Sequence, residues 1–109
     1  MKLIRQGDVA LIQVSKLPNG VTEIPATDTG KVILAWGEVT GHHHRVDGVK
    51  KDAPSVRMWS VGAERFLQVL TRCELVHEEH SAATLEPGIY QLPTQVEHVE
   101  ADVVRRVAD

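Results

Sequence analysis

The sequence predicts an all-β protein, a small barrel or a two-sheet sandwich of short antiparallel strands. Two observations predict it. Short apolar runs recur along the chain, and turn-forming residues close nearly all of them, at Gly7-Asp8, Pro18-Asn19-Gly20, Asp47-Gly48 and Pro87-Gly88. Aromatic residues make up only 4% of the chain, so the core has to be assembled mainly from Val, Leu, Ile and Ala. With 109 residues, 42% of them hydrophobic and 25% charged, and no repeat or linker, residues 1–109 read as one β-rich globular domain.

The elements follow in order. Gln6-Gly7-Asp8 is a turn that feeds a strand from Val9 to Val14, which Leu17-Pro18-Asn19-Gly20 ends. A polar loop runs through Pro25 to Gly30. Lys31 to Trp36 is a strand in which Val32, Leu34 and Trp36 share one face and Ile33 and Ala35 the other. Both faces are apolar, so a central position is expected. Ser55 to Val61 and Arg65 to Leu70 form a hairpin around Gly62-Ala63-Glu64. Arg72 to His77 is a further strand, and Ile89 to Leu92 another after the Leu85-Glu86-Pro87-Gly88 turn. Residues 95–109 fit either a helix, through a stripe of valines, or a strand, and extended structure is slightly favoured.

Charge and composition narrow the function. The net charge is −3 with histidines neutral, which disfavours a nucleic-acid binder without ruling it out. Arg45, Lys50, Lys51 and Arg57 read as a solvated loop. The single cysteine, Cys73, forms no intrachain disulfide and is read as a small packed side chain. No signal peptide or membrane-spanning stretch is visible, so a cytoplasmic location with no membrane partner is expected.

Five of the six histidines fall into two groups, His42-His43-His44 and His77 with His80. On a strand His42 and His44 project to the same side while His43 points away, an arrangement by which a sheet offers two imidazoles to one metal ion. If residues 73–80 stay extended, Leu75, His77 and Glu79 share one face and Val76, Glu78 and His80 the other. A helical turn at His77 would instead let His77 and His80 converge. The candidate metal ligands are therefore His42, His44, His77 and His80, and the candidate cofactor is a divalent transition metal, zinc first, with iron, nickel or manganese as alternatives. Glu79 and Glu38 are candidate catalytic carboxylates, acting as base for a metal-bound water or orienting an imidazole, with Glu79 preferred. His43 and His98 are read as surface residues.

The segments Arg5-Gln6-Gly7-Asp8-Val9, Gly37-Glu38-Val39-Thr40-Gly41-His42-His43-His44, His77-Glu78-Glu79-His80 and Pro87-Gly88-Ile89-Tyr90 resemble a family of short uncharacterised bacterial and phage proteins. That resemblance extends to the ending Arg105-Arg106-Val107-Ala108-Asp109 and implies no activity. More remotely, Gly41-His42-His43-His44 and Leu85-Glu86-Pro87-Gly88 are similar to the His-x-His and Pro-x-Gly turns of cupins. The cupin resemblance implies a metal-binding barrel, with Asp47 the nearest counterpart of the carboxylate that follows His-x-His.

The leading expectation is a metal-dependent hydrolase or lyase acting on a small molecule. A non-catalytic binding or assembly module, with a structural metal or a histidine-lined contact in a homo-oligomer, is the second. The third is a metal-independent nuclease using paired histidines as acid and base, with Tyr90, Arg45 and Lys50 contacting phosphate.

Overall fold

The computed structural model describes residues 2–36 and 41–93, and these form ten strands with no helix among them. The strands are β1 (Leu3–Gln6), β2 (Val9–Val14), β3 (Thr22–Ile24), β4 (Val32–Trp36), β5 (His43–Val46), β6 (Val56–Val61), β7 (Glu64–Val69), β8 (Cys73–Leu75), β9 (Ala83–Leu85) and β10 (Gly88–Leu92). All named pairings are antiparallel. The expected all-β class holds. The barrel alternative does not close, because β1 and β3 remain the two edges of a six-stranded sheet ordered β1-β2-β10-β7-β6-β3. Among the described residues no helix is long and apolar enough to cross a membrane.

Alternation along the strands explains which side of this sheet is covered. Val9 and Leu11 on β2, Val56 and Met58 on β6, and Tyr90 and Leu92 on β10 are buried, while Arg57 between two of them is exposed. A second layer supplies Val32, Leu34, Val46, Leu75 and Leu85 to the same core. It consists of two hairpins, β4-β5 and β8-β9. A bridge joins them, with Arg45 N–H donating to Val76 O at 3.0 Å and Val76 N–H to Arg45 O at 2.8 Å. The result is a two-layer sandwich.

Several expected elements are present with small boundary shifts, including the β6-β7 hairpin, paired from Val56↔Val69 to Val61↔Glu64. Three short strands were not anticipated: β1, β3 and β9, of three or four residues each. Their identity depends on the neighbours they pair with, and short polar segments such as Thr22–Ile24 carry little pattern of their own. The strand starting at Lys31 was expected to be central, yet β4 lies in a two-stranded sheet. Its pairing with β5 shifts between Ile33↔Arg45 and Ala35↔His44. The extra residue, Leu34, is a bulge, and beyond it the alternation reverses. Trp36 is thereby turned to the face of Ile33, opposite His43, and is 64% exposed. Residues 95–109 and His98 lie outside the described residues.

Candidate metal centre

The bulge in β4 and the pleat of β5 decide which histidine points inward. His44 pairs with Ala35 and faces the core, only 1% exposed, whereas His43 and Arg45 face outward. On the other hairpin, β8 ends at Leu75 and Val76 makes the bridge to Arg45, after which residues 78–80 form a bend. The segment is therefore neither extended to His80 nor helical at His77. The bend, and not a shared strand face, carries both rings back onto His44.

The two histidine groups meet. Ring centroids of His44 and His77 are 4.3 Å apart, those of His77 and His80 4.7 Å, and those of His44 and His80 5.8 Å. His42 stands at the edge of the group, edge-on to His77 at 5.9 Å. Its Nδ1 is buried and makes no hydrogen bond, lying 3.5 Å from Glu79 Oε2. Glu79 itself is largely solvated. Glu38 lies outside the described residues.

Two residues that the spacing did not single out complete the site. Gln6 ends β1 and is buried; its Nε2 donates to Leu75 O at 2.8 Å and to Ser81 O at 2.9 Å. The amide oxygen is thus left to face His44 Nδ1 at 2.8 Å. An amide oxygen only accepts, so His44 carries its proton on Nδ1 and presents a bare lone pair at Nε2. That lone pair faces Asp8 Oδ1 at 3.4 Å. Gly7, between Gln6 and Asp8, turns the chain with φ of 58°. A Cβ there would stand 2.6 Å from His80 Nε2, so the absence of a side chain is what lets His80 close over the turn. The sequence marks Gln6-Gly7-Asp8 as a turn and as part of a segment that carries the family resemblance; nothing in its spacing links it to residues 44 or 77–80.

Burial, together with the neighbouring His77 and against the pull of Asp8, lowers the pKa of His44 and keeps it neutral. Within the cluster, the tautomer of His77 is definable as well. Glu79 N–H donates to His77 Nδ1 at 3.0 Å, which puts the His77 proton on Nε2. Among the described residues no three His, Cys, Asp or Glu side chains are yet arranged to hold one ion together.

The outward face of the same strand is built differently. His43 Nδ1 donates to Gly41 O at 2.9 Å, its backbone N–H donates to Glu78 Oε1 at 2.9 Å, and its ring stacks on Trp36 with centroids 4.7 Å apart. Arg45 Nη1 donates to Glu78 Oε2 at 2.9 Å. The His43 backbone N–H, then Glu78's own backbone N–H and the charge of Arg45, hold the Glu78 carboxyl down at about 2. Asp47, the carboxylate suggested by the cupin resemblance, is tied to Arg45 and Lys31 and does not join the cluster.

A family model described as a domain of unknown function, DUF8820, matches residues 5–95. The chain belongs to this family. The matched span covers all the DUF8820 residues named above, from Gln6 and Asp8 to His80. No curated protein and no solved structure matches the chain.

Proposed function

We propose that this DUF8820 domain binds a divalent transition metal, with zinc first and iron, nickel or manganese as alternatives, and uses it in a hydrolase or lyase reaction on a small molecule. One observation carries the reading. His44 Nε2, buried, and Asp8 Oδ1, on a partly exposed side chain, are two acceptors facing each other at 3.4 Å. Two acceptors repel unless a proton or a cation lies between them, and burial beside His77 disfavours the proton. Donors about 2.0–2.1 Å from a tetrahedral ion stand roughly 3.4 Å apart, so the pair already has the spacing of one edge of such a site.

Gln6 supports the reading, because a ligand imidazole ordinarily donates its far N–H to a fixed acceptor. His80, His77 or His42 would supply the third donor by a side-chain rotation, which for His77 means releasing the Glu79 N–H. The solvated Glu79 beside His42 leaves one side open, and a metal-bound water there would have a carboxylate to accept its proton.

Calorimetric titration with Zn, Mn, Ni and Fe(II), on protein purified without nickel resin, tests the metal. About one ion per chain is expected, with affinity reduced about tenfold or more in Asp8→Asn and in His44→Ala. Failure of all four metals to bind overturns the proposal.

A second reading rests on His77. With its proton on Nε2 it is a donor beside His44, whose Nε2 is an acceptor, and such a pair could divide acid and base roles without a metal. Hydrolytic activity that survives EDTA, with a bell-shaped pH profile, would select this reading over the first.

A further inference from the structure

A concavity lies away from the histidines and shares none of their residues. It measures about 670 Å³, within the range of small-molecule sites, and sits between the loop after β3 and the loop from Gly48 to Pro54. Its apolar wall includes Val32, Val49, Val56 and Met58, all buried members of the core cluster. Its two loops are tied to each other. Val49 N–H donates to Gly30 O at 2.8 Å, and a Cβ on Gly30 would meet Val49 O at 2.9 Å, so the two loops are in direct contact at one end of the cavity.

The charges around this cavity are unequal in their freedom. Glu23 is neutralised by Arg57, whose Nε and Nη2 donate to its two oxygens at 3.0 and 3.2 Å. Lys50 and Lys51 are exposed, and among the described residues neither has a hydrogen-bond or ion-pair partner. Asp28 is the remaining carboxylate that lines the cavity, and it likewise has no ion pair among the described residues. Two free ammonium groups against one free carboxylate leave the site positive above an apolar wall.

We infer that this cavity binds an amphipathic organic anion, an apolar body with a single carboxylate or phosphate head, the body against Val49, Val56 and Met58 and the head at Lys50 and Lys51. Burial of the ligand's own apolar body, against the 38% exposed Ile24 and the floor beneath it, supplies the affinity, and the lysines select the sign of the head group. The function is independent of the metal centre.

The test uses the whole protein and the fluorescence of 1-anilinonaphthalene-8-sulfonate, which combines an apolar body with one anionic group. The dye should bind protein that still melts cooperatively, and dodecanoate should displace it while dodecylamine does not. Dodecyl phosphate, run in parallel, distinguishes a phosphate head from a carboxylate. Lys50→Glu with Lys51→Glu alters only exposed side chains and should weaken binding by about tenfold or more. Asp28→Asn should tighten it, and His44→Ala should leave it unchanged wherever that variant melts cooperatively. Absence of dye binding, binding that persists in the double charge reversal, or equal displacement by dodecylamine overturns the inference.

Discussion

His43 and His44 are adjacent on one strand and occupy opposite chemical worlds. His44 faces inward, is fixed by a neutral amide, and keeps a bare nitrogen toward Asp8 and two further imidazoles. His43 faces outward and spends its Nδ1 proton on Gly41 O, its backbone N–H on Glu78, and its ring face on Trp36. Both have partners. The difference is that the outer set pairs donors with acceptors, whereas the inner set leaves acceptors facing one another. A ligand site is characterised by such incomplete pairing, and a structural clamp by complete pairing.

The largest effect on this contrast should come from Gln6→Leu. It removes the acceptor for His44 Nδ1 and the donor for two backbone carbonyls, leaving two buried groups, His44 Nδ1 and Leu75 O, and the part-buried Ser81 O unpaired. At roughly 1–3 kcal/mol for each buried group, the loss should be about 2 kcal/mol or more in urea denaturation. A change below about 1 kcal/mol would show that the inner face is not organised by this amide.

Gly7→Ala should have an intermediate effect. The new Cβ meets the tip of His80 at 2.6 Å and the backbone is held at φ of 58°, so the ring must move and the turn is strained. A loss of about 1–2 kcal/mol is expected, together with weaker metal binding. Unchanged affinity in a destabilised variant would remove His80 from the ligand set.

The smallest effect belongs to the outer face and depends on pH. Glu78 titrates at about 2 in the fold, below its unfolded value of about 4.3. Such a depressed carboxylate stabilises the protein above pH ~4.3, and the contribution disappears as pH falls toward 2. The stability difference between the native chain and Glu78→Gln should therefore be present at pH 7 and shrink from pH ~5 to pH ~2. Metal affinity at neutral pH should differ little. A difference that stays constant with pH would detach the Glu78 charge from the His43 clamp.

The residues differ in how far their roles were legible. Alternation and turn chemistry identified β2, the β6-β7 hairpin and β10, because those strands carry apolar residues on one face. Alternation misassigned Trp36, since a bulge at Leu34 leaves no trace in a run that is apolar on both faces. In the site, His43 and His44 were read with the correct alternation, while His42 lies before β5. The approach of His77 and His80 was foreseen only as one alternative, through a helical turn that the bend at residues 78–80 replaces. Glu79 was favoured for sharing a strand face with His77; in the fold its backbone N–H meets that ring while its carboxylate lies nearer His42.

By itself the sequence determined an all-β chain of short strands with histidines concentrated in two places, because period and turn residues act over a few neighbours. Only the tertiary structure decided that the two places are one. Gln6 and Asp8 lie 38 and 36 positions before His44, and 71 and 69 before His77. No local preference encodes that meeting. It follows from the β1-β2 turn packing beneath the two hairpins, where the alignment of an amide, a carboxylate and three imidazoles is set by burial and hydrogen bonding.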